Sequence, residues 1–194
     1  MVKHLSTAIR LLVVFLILIG GVYSALVTGV AQTLFPVQAS GSLVRLHGKI
    51  IGARMIGQKF TGAQWFDSRP SATAYDAAAS AATNYGPTNP ALVKEVQTNL
   101  AAFLKANPGV KASQVPSSMV ESSDSGLDPD ITPTAAYVQA PRVARVNHIP
   151  LAVVKSLIAQ HVHGRFLGLY GNAYVNVLEL NLALMNWKGG HPRA

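Results

Sequence analysis

From Leu11 to Phe35 no position is charged and most are apolar. Roughly 20 such residues, rising 1.5 Å each, cross the ~30 Å hydrocarbon core of a bilayer, so the pattern predicts a transmembrane helix over 11–35. A cleaved signal peptide has a shorter apolar centre of about 7–15 residues. The run is therefore read as an uncleaved anchor, although Val37-Gln38-Ala39 beyond it resembles a cleavage site. Within the span Gly20, Ser24 and Thr28 form one row, and Gly21, Ala25 and Gly29 form a second beside it. Together they make a broad small-residue face, the kind on which helices approach closely in lipid. Ile19, Val22, Leu26 and Val30 fall on the other side and suit lipid.

After the anchor the periodicity changes. Ser42 to Ile51 and Ala53 to Phe60 are short, partly alternating segments broken by glycines, which predict strands or extended structure. Residues 64–90 are dense in Gly, Pro and Asn and read as loop. A helix is predicted next: Asn89 caps it, Pro90 opens it, and Leu92, Val93, Val96, Leu100, Phe103 and Leu104 recur at helical spacing until Asn107-Pro108-Gly109. Val110 to Asp130 is a polar, Ser-rich stretch read as an ordered surface loop. Thr132 then caps a helix opened by Pro133 and carrying Ala135, Ala136, Tyr137 and Val143. Another helix starts at Pro150 with Leu151, Val154, Leu157 and Ile158 on one face. The last segment, 175–185, alternates in part yet also fits a helix, and its Leu, Ala, Met and Glu content selects helix. The fold class expected is α+β: a cytoplasmic N-terminus over 1–10, a transmembrane helix over 11–35 and one compact extracytoplasmic domain over 36–194.

Composition narrows this further. The chain has no cysteine, so disulfides and thiolate metal sites are excluded and the domain must hold by packing. The formal charge is +8, but the basic residues are scattered singly. Nucleic acid is thereby disfavoured as a partner, and anionic lipid headgroups or an acidic partner are favoured. Lys3 and Arg10 precede the span and Arg45, Lys49 and Arg54 follow it, so the count alone does not choose. Long domains translocate largely regardless of charge and no charge lies between Pro36 and Val44, so the N-terminus is expected in the cytoplasm and the domain outside.

Candidate chemistry is sparse. Asp124-Ser125-Gly126-Leu127-Asp128-Pro129-Asp130 gathers carboxylates, but an EF-hand needs Glu at its twelfth position, where Ala135 stands; a structural turn is expected. His161 and His163 point about 200° apart on a helix and have no third ligand at a recognisable spacing. Ser71 with Lys94 as base is the serine-nucleophile alternative, that of a membrane-anchored extracytoplasmic hydrolase, yet no Gly-x-Ser-x-Gly motif accompanies it. A Walker-type phosphate loop is also missing. The residues thus read as a non-catalytic accessory or assembly subunit with no bound cofactor or metal.

Several segments in one order carry a resemblance. They are Gly41-Ser42-Leu43, Ile56 to Phe60, Phe66-Asp67-Ser68-Arg69-Pro70-Ser71-Ala72, Gly86-Pro87-Thr88-Asn89-Pro90, Ser125 to Pro133, Gln139 to Ala144, and Val175 to Val177 through Asn181 to Leu184. With the anchor before them, the chain resembles KdpC, the C subunit of the Kdp potassium-transporting P-type ATPase. The resemblance implies a membrane complex of four parts: a potassium-translocating subunit, a P-type ATPase subunit that hydrolyses ATP, a very small one-helix subunit and this one. ATP and potassium are then handled by the complex, and this chain aids its assembly and stability. The resemblance also implies a role in nucleotide affinity at Gln139. An external domain is separated from cytoplasmic nucleotide by the bilayer, so Gln139 is read here as supporting the fold or a partner contact. The chain departs from the family at Ala79-Ser80-Ala81-Ala82-Thr83, where Ser-Gly-Gly-Ser is usual, and at Asp130, where His or Asn is commoner.

Overall fold

A computed structural model describes residues 2–46 and 48–190. It comprises two compact units, Met1–Ile51 and Gly52–Ala194. In the first, helix α1 (Val2–Phe15) runs into a π-helical segment (Leu16–Tyr23) and on into α2 (Ser24–Leu34). His4–Leu34 is long and apolar enough to cross a membrane, and its most apolar window has 0% of its residues buried inside the chain. Ser24 Oγ donates to the Ile19 carbonyl (3.1 Å) and Thr28 Oγ1 to that of Ser24 (2.8 Å). Hydroxyls satisfied on their own helix can enter hydrocarbon without a partner from water. Pro36 disfavours helical geometry at Phe35, where φ is −134°, and a short turn of helix, α3 (Pro36–Ala39), follows.

Strands β1 (Leu43–Leu46) and β2 (Lys49–Ala53) pair as a two-stranded ribbon. The expected extended stretch over 53–60 joins no ladder beyond Ala53. Its backbone is tied instead by the Gly57 N–H, which donates to the Leu127 carbonyl at 2.7 Å. A Cβ at residue 57 would lie 2.5 Å from the Asp128 carbonyl oxygen, so this close approach requires glycine.

Residues 64–89 contain no helix or strand, as the loop reading anticipates. Helix α4 (Pro90–Ala106) starts where expected, with the Asn89 side chain accepting from the Ala91 N–H at 2.9 Å. The Ser-rich segment after it is ordered into two 3₁₀ turns, Ala112–Gln114 and Ser117–Met119. Helix α5 (Pro133–Asn147) has Thr132 as its cap, accepting from the Ala135 N–H at 3.2 Å. It ends with His148 in the left-handed conformation (φ 57°), whose N–H closes onto the last turn. Helix α6 (Leu151–Gln160) follows Pro150.

The expectation of helix throughout 175–185 is corrected at its start. Tyr174–Asn176 form strand β5, the centre of an antiparallel sheet between β3 (Asp130–Ile131) and β4 (Val162–His163). Val175 stands opposite both Ile131 and Val162. Helix α7 (Val177–Gly190) begins only afterwards, with the Asn176 side chain accepting from the Glu179 N–H at 3.2 Å. The mixed periodicity is thus two elements joined at a capping residue. One core unites them: Phe66, Val143, Val154, Ile158, Val175, Leu180 and Leu184 are each fully buried.

Candidate functional site

The residues of the Gln139 region meet in a buried polar network that holds a segment lacking any strand partner. From Ala63 to Asp67 each backbone carbonyl in turn is taken by a side chain from α5 or α7. Arg142 Nη1 donates to the carbonyls of Ala63 (2.7 Å) and Trp65 (2.8 Å). Asn147 Nδ2 takes that of Gln64 (2.8 Å), Asn181 Nδ2 that of Phe66 (3.0 Å), and Gln139 Nε2 that of Asp67 (3.3 Å). The Phe66 N–H donates to Asn181 Oδ1 and the Asp67 N–H to Gln139 Oε1, both at 2.8 Å. Two side-chain amides therefore imitate the reciprocal bonds of a neighbouring strand. Buried backbone groups need such partners, and here helices supply them.

Arg142, whose side chain is 3% exposed, spends its guanidinium completely. Besides the two carbonyls it donates from Nε to Asn107 Oδ1 (2.9 Å) and from Nη2 to Asp67 Oδ2 and Gln139 Oε1, each at 2.8 Å. That matches the five N–H groups a guanidinium carries. Gln139 is equally spent, since its Nε2 also donates to the Ala135 carbonyl at 3.3 Å. Burial pushes the half-buried Asp67 carboxyl above the usual carboxylate range, and the Arg142 charge pulls it partly back. The same burial lowers Arg142, opposed by Asp67.

A second knot lies between residues 69–81 and the Asp-rich turn. Ser71 Oγ donates to the Gly126 carbonyl at 2.6 Å and accepts from the Thr73 and Tyr75 N–H groups at 3.2 and 2.9 Å. Its hydroxyl stitches two loops together, and Lys94, exposed on α4, is not among its hydrogen-bond partners. Arg69 pairs with Asp128 at 3.0 Å. Tyr75 Oη donates to the Arg69 carbonyl at 2.6 Å, and burial first, then the Asp67 charge, raise its pKa to about 12. The Asp124–Asp130 stretch is the structural turn expected: Ser125 Oγ accepts from the Leu127 N–H and Asp128 Oδ1 from that of Asp130. Among the described residues no group of three or more His, Asp or Glu converges as metal ligands do. His161 Nδ1 lies 2.8 Å from the Leu157 carbonyl, whereas His163 stacks on Tyr174 and approaches Glu179 at 3.5 Å.

Part of the small-residue face of the span lines one depression. Gly20, Gly21 and Ala25 line a shallow depression with Leu16 and Ile17, and Val22, assigned to the lipid side by the helical wheel, borders it. Ser24, Thr28 and Gly29 lie outside its lining. The π segment containing both glycines is a helix form found mostly as single turns at functional positions.

Sequence reading singled out Gln139 but missed Arg142, Asn147 and Asn181. Their signal was present: polar side chains at 139, 142 and 147 share the helix face that carries Ala135 and Val143 into the core. The run Phe166-Leu167-Gly168-Leu169-Tyr170, exposed on a loop, was likewise unread.

Comparison with known proteins places this arrangement. The family model described as "KdpC: K+-transporting ATPase, c chain" matches residues 5–186. A "Potassium-transporting ATPase KdpC subunit" of Caldanaerobacter subterraneus subsp. tengcongensis is 50% identical over 183 residues, 94% of this chain and 95% of that protein. Proteins of the same description from Acidobacterium capsulatum and Methylococcus capsulatus are 47% and 46% identical, covering 94% and 95% of this chain and 97% and 98% of their own lengths. An apolar helix that the chain itself leaves unburied, followed by a mixed domain with its loops held by buried amides, is thus the form taken here by a chain that belongs to the KdpC family of potassium-transporting ATPase subunits.

Proposed function

We propose that this chain is a non-catalytic accessory subunit that supports assembly and stability of the translocating and ATP-hydrolysing subunits of a potassium-uptake ATPase. Residues 1–10 are cytoplasmic, 11–35 span the membrane and 36–194 form the extracytoplasmic domain. The observation that carries the reading is the internal use of the polar side chains around Arg142, Gln139, Asn181 and Ser71. Arg142, Gln139 and Asn181 hold the backbone of 63–67, and Ser71 holds a turn, so the chemistry-bearing side chains are occupied by the fold. A body of that kind serves by its shape and its surface. Any influence of Gln139 on nucleotide affinity is exerted through the loop it clamps. Potassium and ATP are bound by the partner subunits.

In the membrane, Gly20, Gly21, Ser24, Ala25, Thr28 and Gly29 form the face that packs on a partner helix. Small side chains allow the close backbone approach that substitutes for a hydrophobic drive in lipid. Co-purification of the complex in detergent tests this. Gly21→Leu with Gly29→Leu is expected to release this chain from the other subunits; a double variant that still co-purifies fully removes the helix face from the proposal. Protease accessibility in spheroplasts tests the topology: cleavage of the domain from outside is expected, and protection until lysis reverses the orientation.

A further inference from the structure

Among the described residues of the domain, an apolar tip stands out that its own fold does not explain. Between β4 and β5 the chain reads Gly164-Arg165-Phe166-Leu167-Gly168-Leu169-Tyr170-Gly171. Phe166, Leu167, Leu169 and Tyr170 are 71%, 75%, 76% and 67% exposed. Single exposed apolar residues are ordinary, but large ones clustered on one tip mark an interaction site.

The tip is shaped before anything binds it. Phe166 and Tyr170 exchange both backbone bonds, at 2.9 and 3.0 Å, while the Gly168 and Leu169 N–H groups donate to the Arg165 and Phe166 carbonyls at 3.0 and 3.1 Å. Leu167 is held at φ 52°, a left-handed conformation that non-glycine residues rarely adopt. At the neck His163 stacks on Tyr174 with ring centroids 4.8 Å apart, and the strands pair Val162 with Val175. The N–H groups of Phe166, Gly168, Leu169 and Tyr170 are bonded within the turn, which lowers the cost of taking its backbone out of water.

We propose that this tip is a docking plug that seats in an apolar socket on the extramembrane surface of a neighbouring subunit of the ATPase. The inference rests on the accessory-subunit reading above and assigns it a contact. A fixed shape lowers the ordering cost of entering a specific socket, whereas a lipid surface demands no particular shape. Surface attachment to anionic lipid draws on clusters of Lys and Arg, but Arg165 is the sole Lys or Arg between His161 and Tyr174, and no Asp or Glu stands there. Phe, Tyr and Arg beside leucine are instead the composition of a protein interface core. Arg165 at the base of the plug fits an acidic or carbonyl-rich rim.

The test uses the full chain expressed with its partner subunits. A photo-crosslinking residue is placed at Leu167 or Leu169, with Glu121, exposed elsewhere on the same unit, as control. Illumination is expected to give adducts heavier by the mass of another subunit from both tip positions and not from Glu121. Lipid adducts alone, or no adduct from a chain that still co-purifies, overturn the plug without touching the span proposal. As a second measurement, Phe166→Ser with Leu169→Ser is expected to reduce the amount retained on the complex in a stringent wash by at least about tenfold. Unchanged retention overturns the plug. Both residues are exposed, so circular dichroism of the variant should match the parent.

Discussion

The anchor helix and α5 invert each other's use of polarity. The anchor exposes Leu, Ile, Val and Phe along its whole length, and its Ser24, Thr28 and Thr33 hydroxyls turn back on their own helix. Helix α5 hides Gln139, Arg142 and Asn147 at 0%, 3% and 2% exposure. On the topology proposed above, the difference lies in what each helix is dissolved in. Lipid offers no hydrogen-bond partner, so a helix there must satisfy itself. The interior around α5 contains an unpaired stretch of backbone, so polar side chains are what that site requires.

The largest test of this contrast makes α5 resemble the anchor. Arg142→Met keeps the bulk but removes all five donors, stranding the carbonyls of Ala63 and Trp65 and the Asp67 carboxylate. A loss of about 3–5 kcal/mol is expected, the scale of breaking a buried pair on one side. Urea unfolding of the detergent-solubilised chain, followed by the fluorescence of Trp65 in a Trp187→Phe background, measures it. Loss under about 1 kcal/mol would mean that the buried polar face is incidental.

A smaller effect comes from Asn181→Leu, which preserves shape while leaving the Phe66 N–H and carbonyl without partners. About 2–3 kcal/mol is expected from the unsatisfied groups. Its combination with Arg142→Met should cost less than the sum, because both variants release the same segment.

The smallest effect concerns pH. Asp130 is raised above 3.8 by burial first, eased by the hydrogen bond from Asn176, with Asp128 raising it further. The folded protein therefore binds this proton more tightly than the unfolded chain. The resulting penalty is fully present at neutral pH and is relieved as pH falls through the folded value toward 3.8. Asp130→Asn retains an acceptor for Asn176 and removes the titration. Thermal melts between pH 7 and 4 should show a flatter profile for the variant and no loss of stability at pH 7. A parallel profile would assign the pH response to other groups.

Legibility followed the range of the interactions. Asn89 and Thr132 were readable as caps because each bonds within three residues of itself. The Asp124–Asp130 turn was readable for the same reason. The start of α7 was misplaced because Val175 belongs to a strand only through Ile131 and Val162, which lie far away in the chain. Ser71 offered only an unsupported nucleophile alternative in the sequence, and its partner Gly126 shows that its hydroxyl joins two loops.

By itself the sequence determined an N-terminal helix long and apolar enough to span, its small-residue rows, the main helix starts and the KdpC resemblance. Each of these is written in adjacent residues or in their order. Tertiary structure alone decided that 63–67 would be held by side chains from 72 to 115 residues further on, and that the 166–170 tip would stand out bare. The physical reason is that apolar periodicity and capping act over a few residues, whereas satisfying a buried backbone depends on which distant groups the packed core brings within hydrogen-bond reach.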